Sequence, residues 1–282
     1  MRWTPGGRSR NVDDLRGRTG RRVQRGAGIG LGGLLLLLAI SYVTGTNFLS
    51  LLGPAIQQTS APAPADGPVT STPEEEELVQ FVSFVLDDAQ RVWTGLLGPD
   101  YQEARLVLFR GAVESGCGYA EAAMGPFYCP RDQRVYIDLG FYEELRQRFG
   151  APGDFAQAYV LAHEIGHHVQ TLLGIERQVR QLQGSRPDRA NDLSVLMELQ
   201  ADCFAGVWGH STAQRRVLEQ GDVEEGLNAA AAIGDDRIQE MSTGDVRPEA
   251  FTHGSSEQRV GWFRRGLEQG TVEACDTFSA GT

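Results

Sequence analysis

The chain has 282 residues, of which 41% are hydrophobic. That is enough for one substantial core and too little for two large domains with a tail, so we predict a single folded domain with extensions. The formal net charge is -11 at pH 7. An acidic body argues against nucleic acid as a partner, because nucleic-acid binding needs basic surface that displaces counterions.

The N-terminal region joins a basic segment to an apolar one. Residues 1–25 contain eight arginines, and residues 26–43 form the uncharged run GAGIGLGGLLLLLAISYV, about as long as a helix needs to cross a bilayer. Positive charge beside such a span stays in the cytoplasm, so we predict a single-pass cell-membrane protein with a transmembrane helix at 26–45, a cytoplasmic N-terminus and an extracytoplasmic catalytic domain. A cleaved signal peptide and a buried core helix are the alternatives.

Composition separates this region from the folded domain. Residues 46–77 are rich in Pro, Ala and Glu, which is typical of a solvated linker because such a segment cannot bury enough apolar surface to fold. We therefore predict that the folded domain spans residues 78–282.

Periodicity within this domain predicts an α+β fold that is mostly helical and has a small β-sheet. Apolar residues recur at steps of three and four from Leu78 to Trp93, as on an amphipathic helix. The runs LVLF (106–109) and VYID (135–138) are typical of strands. Further helical patterns cover residues 141–149, 155–173, 192–208, 214–218, 223–241 and 256–269.

Four cysteines indicate disulfide bonds, since the domain is predicted to lie outside the cytoplasm. Four cysteines allow three pairings. Cys117 and Cys129 would close a short loop rich in Gly and Pro, which favours that pair and leaves Cys203 with Cys275. Free buried thiols are the alternative. No pair has the CxxC spacing of a zinc site, so we do not predict cysteine ligands.

The segment HEIGH, residues 163–167, carries the strongest chemical signal. His163 and His167 are four residues apart in a predicted helix and therefore project from one face toward a single ion. Glu164, one step around the helix, can contact a water on that ion. An HExxH motif placed in this way predicts a Zn²⁺ site with Glu164 as the general base.

A catalytic zinc normally has three protein ligands, so a third is needed. Glu198 and Asp202 lie four residues apart in ELQAD, on a second predicted helix. In metallopeptidases whose third ligand is glutamate, such a helix follows the HExxH helix. We predict that Glu198 binds zinc and that Asp202 orients a histidine ligand. For Glu198 the alternative is an exposed charge on a helix.

The remaining histidines carry weaker predictions. His168 is turned away from the face shared by the two ligands and is predicted to support the site or the structure, while His210 is predicted to face solvent. His253 precedes a predicted helix, from which it could reach a site built by other helices. We hypothesise that His253 stabilises the oxyanion with Arg259 in support; an ordinary loop histidine is the alternative.

Several stretches together resemble the bacterial neutral zinc metallopeptidase family. They are VLAHEIGHHVQ (160–170), ELQADCFAGVW (198–208), LNAAAAIGDDRIQ (227–239) and THGSSEQRVGWFRRG (252–266). The similarity runs from about Leu78 to Phe278. It implies a zincin-like fold, a single zinc, hydrolysis of peptide bonds, and a basic N-terminus followed by one membrane anchor.

Together, these features predict a membrane-anchored peptidase that hydrolyses a peptide or protein substrate through a zinc-activated water. The strand VYID is predicted to be the sheet edge to which an extended peptide adds. The main alternative is a catalytically inactive zincin-like envelope protein that binds peptides or proteins. A structural zinc site with four protein ligands is a further alternative. Neither the substrate sequence nor the oligomeric state follows from these patterns.

Overall fold

The computed structural model describes residues 1–17 and 69–279. The strands are β1 (Val12–Asp14), β2 (Arg105–Phe109), β3 (Ala112–Ser115), β4 (Gly118–Glu121), β5 (Phe127–Cys129) and β6 (Arg134–Asp138). The helices are α1 (Pro73–Leu97), α2 (Phe141–Gln147), α3 (Asp154–Leu172), α4 (Ile175–Ser185), α5 (Ala190–Gln214), α6 (Asp222–Ala232), α7 (Asp235–Thr243) and α8 (Ser256–Gln269). The predicted α+β class, mostly helical with a small sheet, is confirmed.

The main sheet has the strand order β1, β2, β6, β5. β1, β2 and β6 run parallel, and β5 runs antiparallel to β6. LVLF and VYID are therefore strands, as predicted. The predicted edge position of VYID is wrong, because β6 lies between β2 and β5. The strand at that end of the sheet is β5, whose three residues are too few to show an alternating pattern.

Two predicted helices differ from the structure. The pattern over residues 223–241 is divided into α6 and α7 at Gly234, whose backbone is extended and whose Cβ position would lie 2.4 Å from the Ser256 backbone nitrogen. The pattern over residues 214–218 is not a helix, because α5 already ends at Gln214. Helix α4 was not predicted, although Ile175, Val179 and Leu182 recur at helical spacing; Val179 is its only buried residue.

Helices α5 and α8 pack backbone to backbone. A Cβ on Gly266 of α8 would lie 1.9 Å from the carbonyl oxygen of Cys203, and one on Gly206 of α5 would lie 2.1 Å from that of Phe263. Only glycine allows such an approach. The contact sets α8 firmly against the helix that carries Glu198.

The N-terminal residues pack on the same domain. The Trp3 and Phe81 rings lie 5.3 Å apart, and the Arg2 amide donates to the Val217 carbonyl. The buried Arg16 guanidinium forms ion pairs with Asp14, Glu75 and Glu76 at 2.8, 3.0 and 2.8 Å. Together with the pairing of β1 and β2, these contacts make residues 1–17 part of the fold.

The predicted localisation needs correction. No helix within residues 1–17 and 69–279 is long and apolar enough to cross a membrane. The predicted span, residues 26–45, lies outside the described residues, as does most of the predicted linker. A cytoplasmic N-terminus with an extracytoplasmic domain is wrong for this structure, because residues 1–17 pack against the domain itself. Helix α1 also begins at Pro73, inside the segment predicted as linker.

Candidate metal centre

Three predicted ligands converge where α3 meets α5. Glu198 Oε2 lies 3.2 Å from His163 Nε2, and Glu198 Oε1 lies 3.4 Å from His167 Nε2. One ligand atom from each residue falls within 4.8 Å of the others. Two imidazoles and a carboxylate are donors that zinc accepts. Among the described residues this group has three members, which is the number of protein ligands that a catalytic zinc normally has.

The glycine inside HEIGH explains how the two helices come so close. A Cβ on Gly166 would lie 2.9 Å from the carbonyl oxygen of Ala201 on α5. Because Gly166 lacks this atom, α3 and α5 can touch at this point. Glu198 lies about one turn before Ala201, and the close approach therefore brings its carboxylate to the histidines.

His163 is held from behind by Asp202. Its Nδ1 lies 2.8 Å from Asp202 Oδ1, which leaves Nε2 directed at Glu198. Arg259 donates to both oxygens of the same carboxylate at 2.9 Å, and the Tyr159 hydroxyl also donates to it. Burial opposes ionisation of Asp202, yet Arg259 and His163 lower its pKa below the ordinary value. A charged Asp202 fixes the ring orientation that a metal ligand requires.

His167 is held by a different residue, Gln170, which the sequence analysis missed. His167 Nδ1 lies 2.8 Å from Gln170 Oε1, so that Nε2 again faces Glu198. The Gln170 amide nitrogen donates to the Met197 carbonyl at 2.7 Å and to Gln200 Oε1 at 3.1 Å. Three-residue spacing on one helix was the only available signal, because the contacts to α5 are tertiary.

The ionisable groups of the centre affect one another strongly. Burial alone would lower the pKa of His163, but Asp202 and Glu198 raise it to about 10. Burial is likewise outweighed at His167, whose pKa is raised mainly by Glu198. At Glu198 the two histidines lower the pKa despite burial. A cation bound here would compete with protons for the two Nε2 atoms and the carboxylate.

Glu164 differs from the other carboxylates of the centre. It is mostly buried, and this burial raises its pKa above the ordinary value. It lines the cleft together with His163, His167 and Glu198. A carboxyl whose pKa is shifted toward neutrality, in an open cleft beside a metal site, has the properties of a general base.

The cleft has a volume of about 840 Å³, in the range of ligand-binding sites. Residues 123–128, α2 and α4 contribute to its lining. It is large enough for several residues of an extended peptide.

His253 lies on the cleft wall, next to Asp235. The His253 ring nitrogen Nδ1 is 3.1 Å from Asp235 Oδ1, and the backbone amides of Thr252 and His253 donate to Asp235 Oδ2 at 2.6 Å. The hydrogen bond to Asp235 raises the pKa of His253. Asp235 was not found from the sequence, because it lies on another element.

Arg259 and His253 both line the cleft, and the supporting role of Arg259 stays a prediction. Arg259 donates to Asp202, to the Ile233 carbonyl and to the Tyr159 hydroxyl. Its position therefore stabilises the carboxylate behind His163. The oxyanion role of His253 stays a prediction.

His168 and His210 lie away from the metal centre. His168 is fully buried, with Nε2 2.6 Å from the Gln102 carbonyl and Nδ1 3.1 Å from the Tyr128 hydroxyl. These bonds connect α3 to β5 and to the loop before β2. They fit the structural role that was one of the two predicted for His168. His210 is half-buried, and its Nδ1 lies 2.8 Å from the Leu267 carbonyl of α8. Its Nε2 lies 2.8 Å from the Gln214 amide nitrogen at an exposed position, so one edge of the ring faces solvent as predicted and the other contacts α8.

The cysteines form the favoured pairs. Cys117 pairs with Cys129 and Cys203 with Cys275, at Cα separations of 5.8 and 5.5 Å. The first disulfide closes the segment that lines the cleft. The second attaches α5, which carries Glu198, to the C-terminal region.

Two histidines from one helix and a glutamate from a second form a group of side chains that could hold a metal ion. The family model described as putative neutral zinc metallopeptidase matches residues 1–278, and the chain belongs to this family.

The chain is also similar to proteins that are named but uncharacterized. It is 49% identical to the uncharacterized protein YpfJ of Escherichia coli (strain K12), over 99% of both chains. It is 46% identical to the uncharacterized protein Rv2575 of Mycobacterium tuberculosis (strain ATCC 25618 / H37Rv), over 67% of each chain. No solved structure matches, and the zincin-like fold implied by the resemblance therefore stays a prediction.

Proposed function

We propose that this protein is a zinc-dependent peptidase that hydrolyses peptide bonds in a peptide or protein substrate. The observation that carries the proposal is the convergence of His163 Nε2, His167 Nε2 and the Glu198 carboxylate beside Glu164 in an open cleft. His163, His167 and Glu198 would hold the metal. Bound zinc would supply a Lewis acid that lowers the pKa of a water and polarises the scissile carbonyl.

Glu164 performs the proton transfers in this proposal. Its raised pKa lets it accept a proton from the attacking water and deliver that proton to the leaving amine near neutral pH. Asp202 and Gln170 keep the two imidazoles in the tautomer whose Nε2 faces the cleft.

His253 would stabilise the negative charge that develops on the carbonyl oxygen. Asp235 orients its ring through Nδ1 and favours the protonated form, which can donate from Nε2. The contact that supports this role is the one between His253 Nδ1 and Asp235 Oδ1 at 3.1 Å.

The backbone of the substrate would add to β5. Phe127 and Tyr128 of this strand line the cleft, and β5 ends the sheet order next to the metal centre. An extended peptide gains main-chain hydrogen bonds by pairing with such an edge.

A direct test compares the full chain with Glu164→Gln and a control, Glu176→Gln. Glu176 also lines the cleft but belongs to α4 and lies outside the metal centre. We expect about one zinc per chain in all three proteins, as for a site with three protein ligands. Cleavage of an unstructured protein should be lost only in Glu164→Gln.

The competing function, an inactive domain that binds peptides or proteins, gives a different result. Zinc would be present in all three proteins, and wild type would bind the unstructured protein without cleaving it. Absence of zinc from wild type would refute the metal centre itself.

A further inference from the structure

Five apolar side chains from the α2, α3 and α6–α7 regions line the cleft that holds the metal centre. We call them the apolar wall: Phe141, Phe149, Val160, Ile233 and Ile238. Val160 lies one turn before Glu164 on α3, so the wall begins at the proposed base. The other four residues come from α2, the residues just after it, and the α6–α7 region.

Hydrogen bonds fix the wall close to the reacting groups. The Ile233 carbonyl accepts from Arg259 Nη1 at 3.1 Å, and Arg259 Nη2 lies 3.4 Å from His163 Nδ1. At the far end, the Phe149 carbonyl accepts from Arg237 of α7 at 3.5 Å. The wall is therefore held at Ile233 and at Phe149. At Ile233 it is connected through Arg259 to His163, a predicted metal ligand.

The charged side chains around the cleft, outside the metal centre, are already paired. Glu144 and Arg148 form an ion pair at 4.0 Å, Glu176 pairs with Arg180, and Arg259 pairs with Asp202. The Arg148 guanidinium also lies 5.3 Å from the centre of the Phe149 ring. A charged substrate side chain would lose hydration at these apolar side chains, and the charged residues that line the cleft outside the metal centre already have partners of opposite charge.

We propose that the apolar wall is a specificity subsite. It binds a large apolar side chain, such as Phe, Leu or Met, at one of the two substrate residues that flank the scissile bond. This inference rests on the proposed peptidase function and names its substrate class. In a hydrophobic pocket, one missing methylene group lowers kcat/KM roughly 10- to 200-fold. We expect a preference of at least this order for a large apolar side chain over Ala.

The experiment uses zinc-loaded full-length protein and peptides that differ at one position, with Phe, Leu, Ala, Asp or Arg. The test variant is Ile238→Asp. Its matched control is Met241→Asp, three residues along the same helix, where the side chain is exposed and lies outside the cleft lining. Thermal unfolding and zinc content establish that both variants are folded and loaded.

We expect wild type and Met241→Asp to cleave next to Phe or Leu at least about tenfold faster than next to Asp. Ile238→Asp should lose most of this preference and gain relative activity on the Arg peptide. Binding of the same peptides to Glu164→Gln should follow the same order.

The outcomes separate the two proposals. Cleavage without an apolar preference, or equal effects of the two substitutions, would refute the subsite while leaving the peptidase intact. If wild type cleaves none of the peptides, the peptidase proposal loses its support. The affinities of the same peptides for Glu164→Gln then test the subsite independently of cleavage. Equal binding of Phe and Asp peptides would then refute it.

Discussion

The two histidine ligands are supported by chemically different partners. His163 faces Asp202, a carboxylate already neutralised by Arg259, whereas His167 faces the neutral amide of Gln170. Both partners occupy Nδ1 and leave Nε2 toward Glu198. The orientation of the ligands is therefore set by residues that would not contact the metal.

This arrangement predicts that Gln170→Leu weakens zinc binding about 10- to 100-fold while the protein stays folded. Leucine has a similar size but cannot accept the His167 proton, so the ring loses its fixed tautomer. The control is Gln90→Leu on α1, since Gln90 is equally buried and its side chain makes no hydrogen bond within the described residues. Competition with a zinc chelator measures the affinity. Equal affinities in the two variants would contradict the role of Gln170.

The sequence predicted those site residues whose roles depend on spacing along a helix. His163 and His167 at four-residue spacing, and Glu198 with Asp202 at the same spacing, are brought together in the structure as expected. Asp235 was missed because it contacts His253 from another element, which no local pattern encodes. Gln170 lies three residues from His167 on the same helix, and it was missed because its contacts to Met197 and Gln200 of α5 are tertiary.

At the scale of elements, the crossing of α5 and α8 connects packing to the site. It places Arg259 of α8 against Asp202 of α5, behind His163. Gly206 and Gly266 make the crossing possible. A change in this packing should therefore affect the metal centre as well as stability.

We predict that Gly266→Ala destabilises the protein by about 3 kcal/mol, because the added methyl group would overlap the Cys203 carbonyl. Gly261 lies on the same helix with nothing within 4 Å of its Cβ position, and Gly261→Ala should be neutral or stabilise by about 0.5 kcal/mol. Urea unfolding of both variants gives the comparison. Similar stabilities would show that α8 can move away from α5 at little cost.

Element prediction succeeded where a pattern was long or strongly buried. The strands β2 and β6 and the long helices α3 and α5 carry enough buried apolar residues to be recognised. β1 and β5 have three residues each, too few for an alternation to appear. The α6–α7 break depends on a contact with α8 that only the folded chain contains.

At the scale of the whole molecule, the N-terminal residues are the largest departure from expectation. Their arginines suggested a basic segment separate from the domain, but Arg16 is buried among Asp14, Glu75 and Glu76. Two of these acids lie about sixty residues away in sequence. Charge composition alone could not predict the ion pairs of Arg16 with Glu75 and Glu76.

We predict that Arg16→Ala destabilises the fold by about 3 kcal/mol, because it leaves buried or half-buried carboxylates without their counter-ion. Arg10→Ala should change stability by less than about 0.5 kcal/mol, since Arg10 is largely exposed and pairs with Glu103 at the surface. Limited proteolysis, followed by detection of cuts within residues 1–17, measures attachment of the segment. Equal cutting of both variants would contradict this assignment.

The attachment of residues 1–17 also constrains the order of events during biosynthesis. Val12 pairs with Leu106, and the Arg2 amide bonds to Val217. These residues leave the ribosome long before their partners are translated. β1 can pair only after β2 has emerged, and Arg2 can bond to Val217 only after most of the chain has emerged. Contacts of such long sequence separation form slowly. The domain therefore completes its sheet late, and a pause in translation before residue 105 would leave β1 without any strand to pair with.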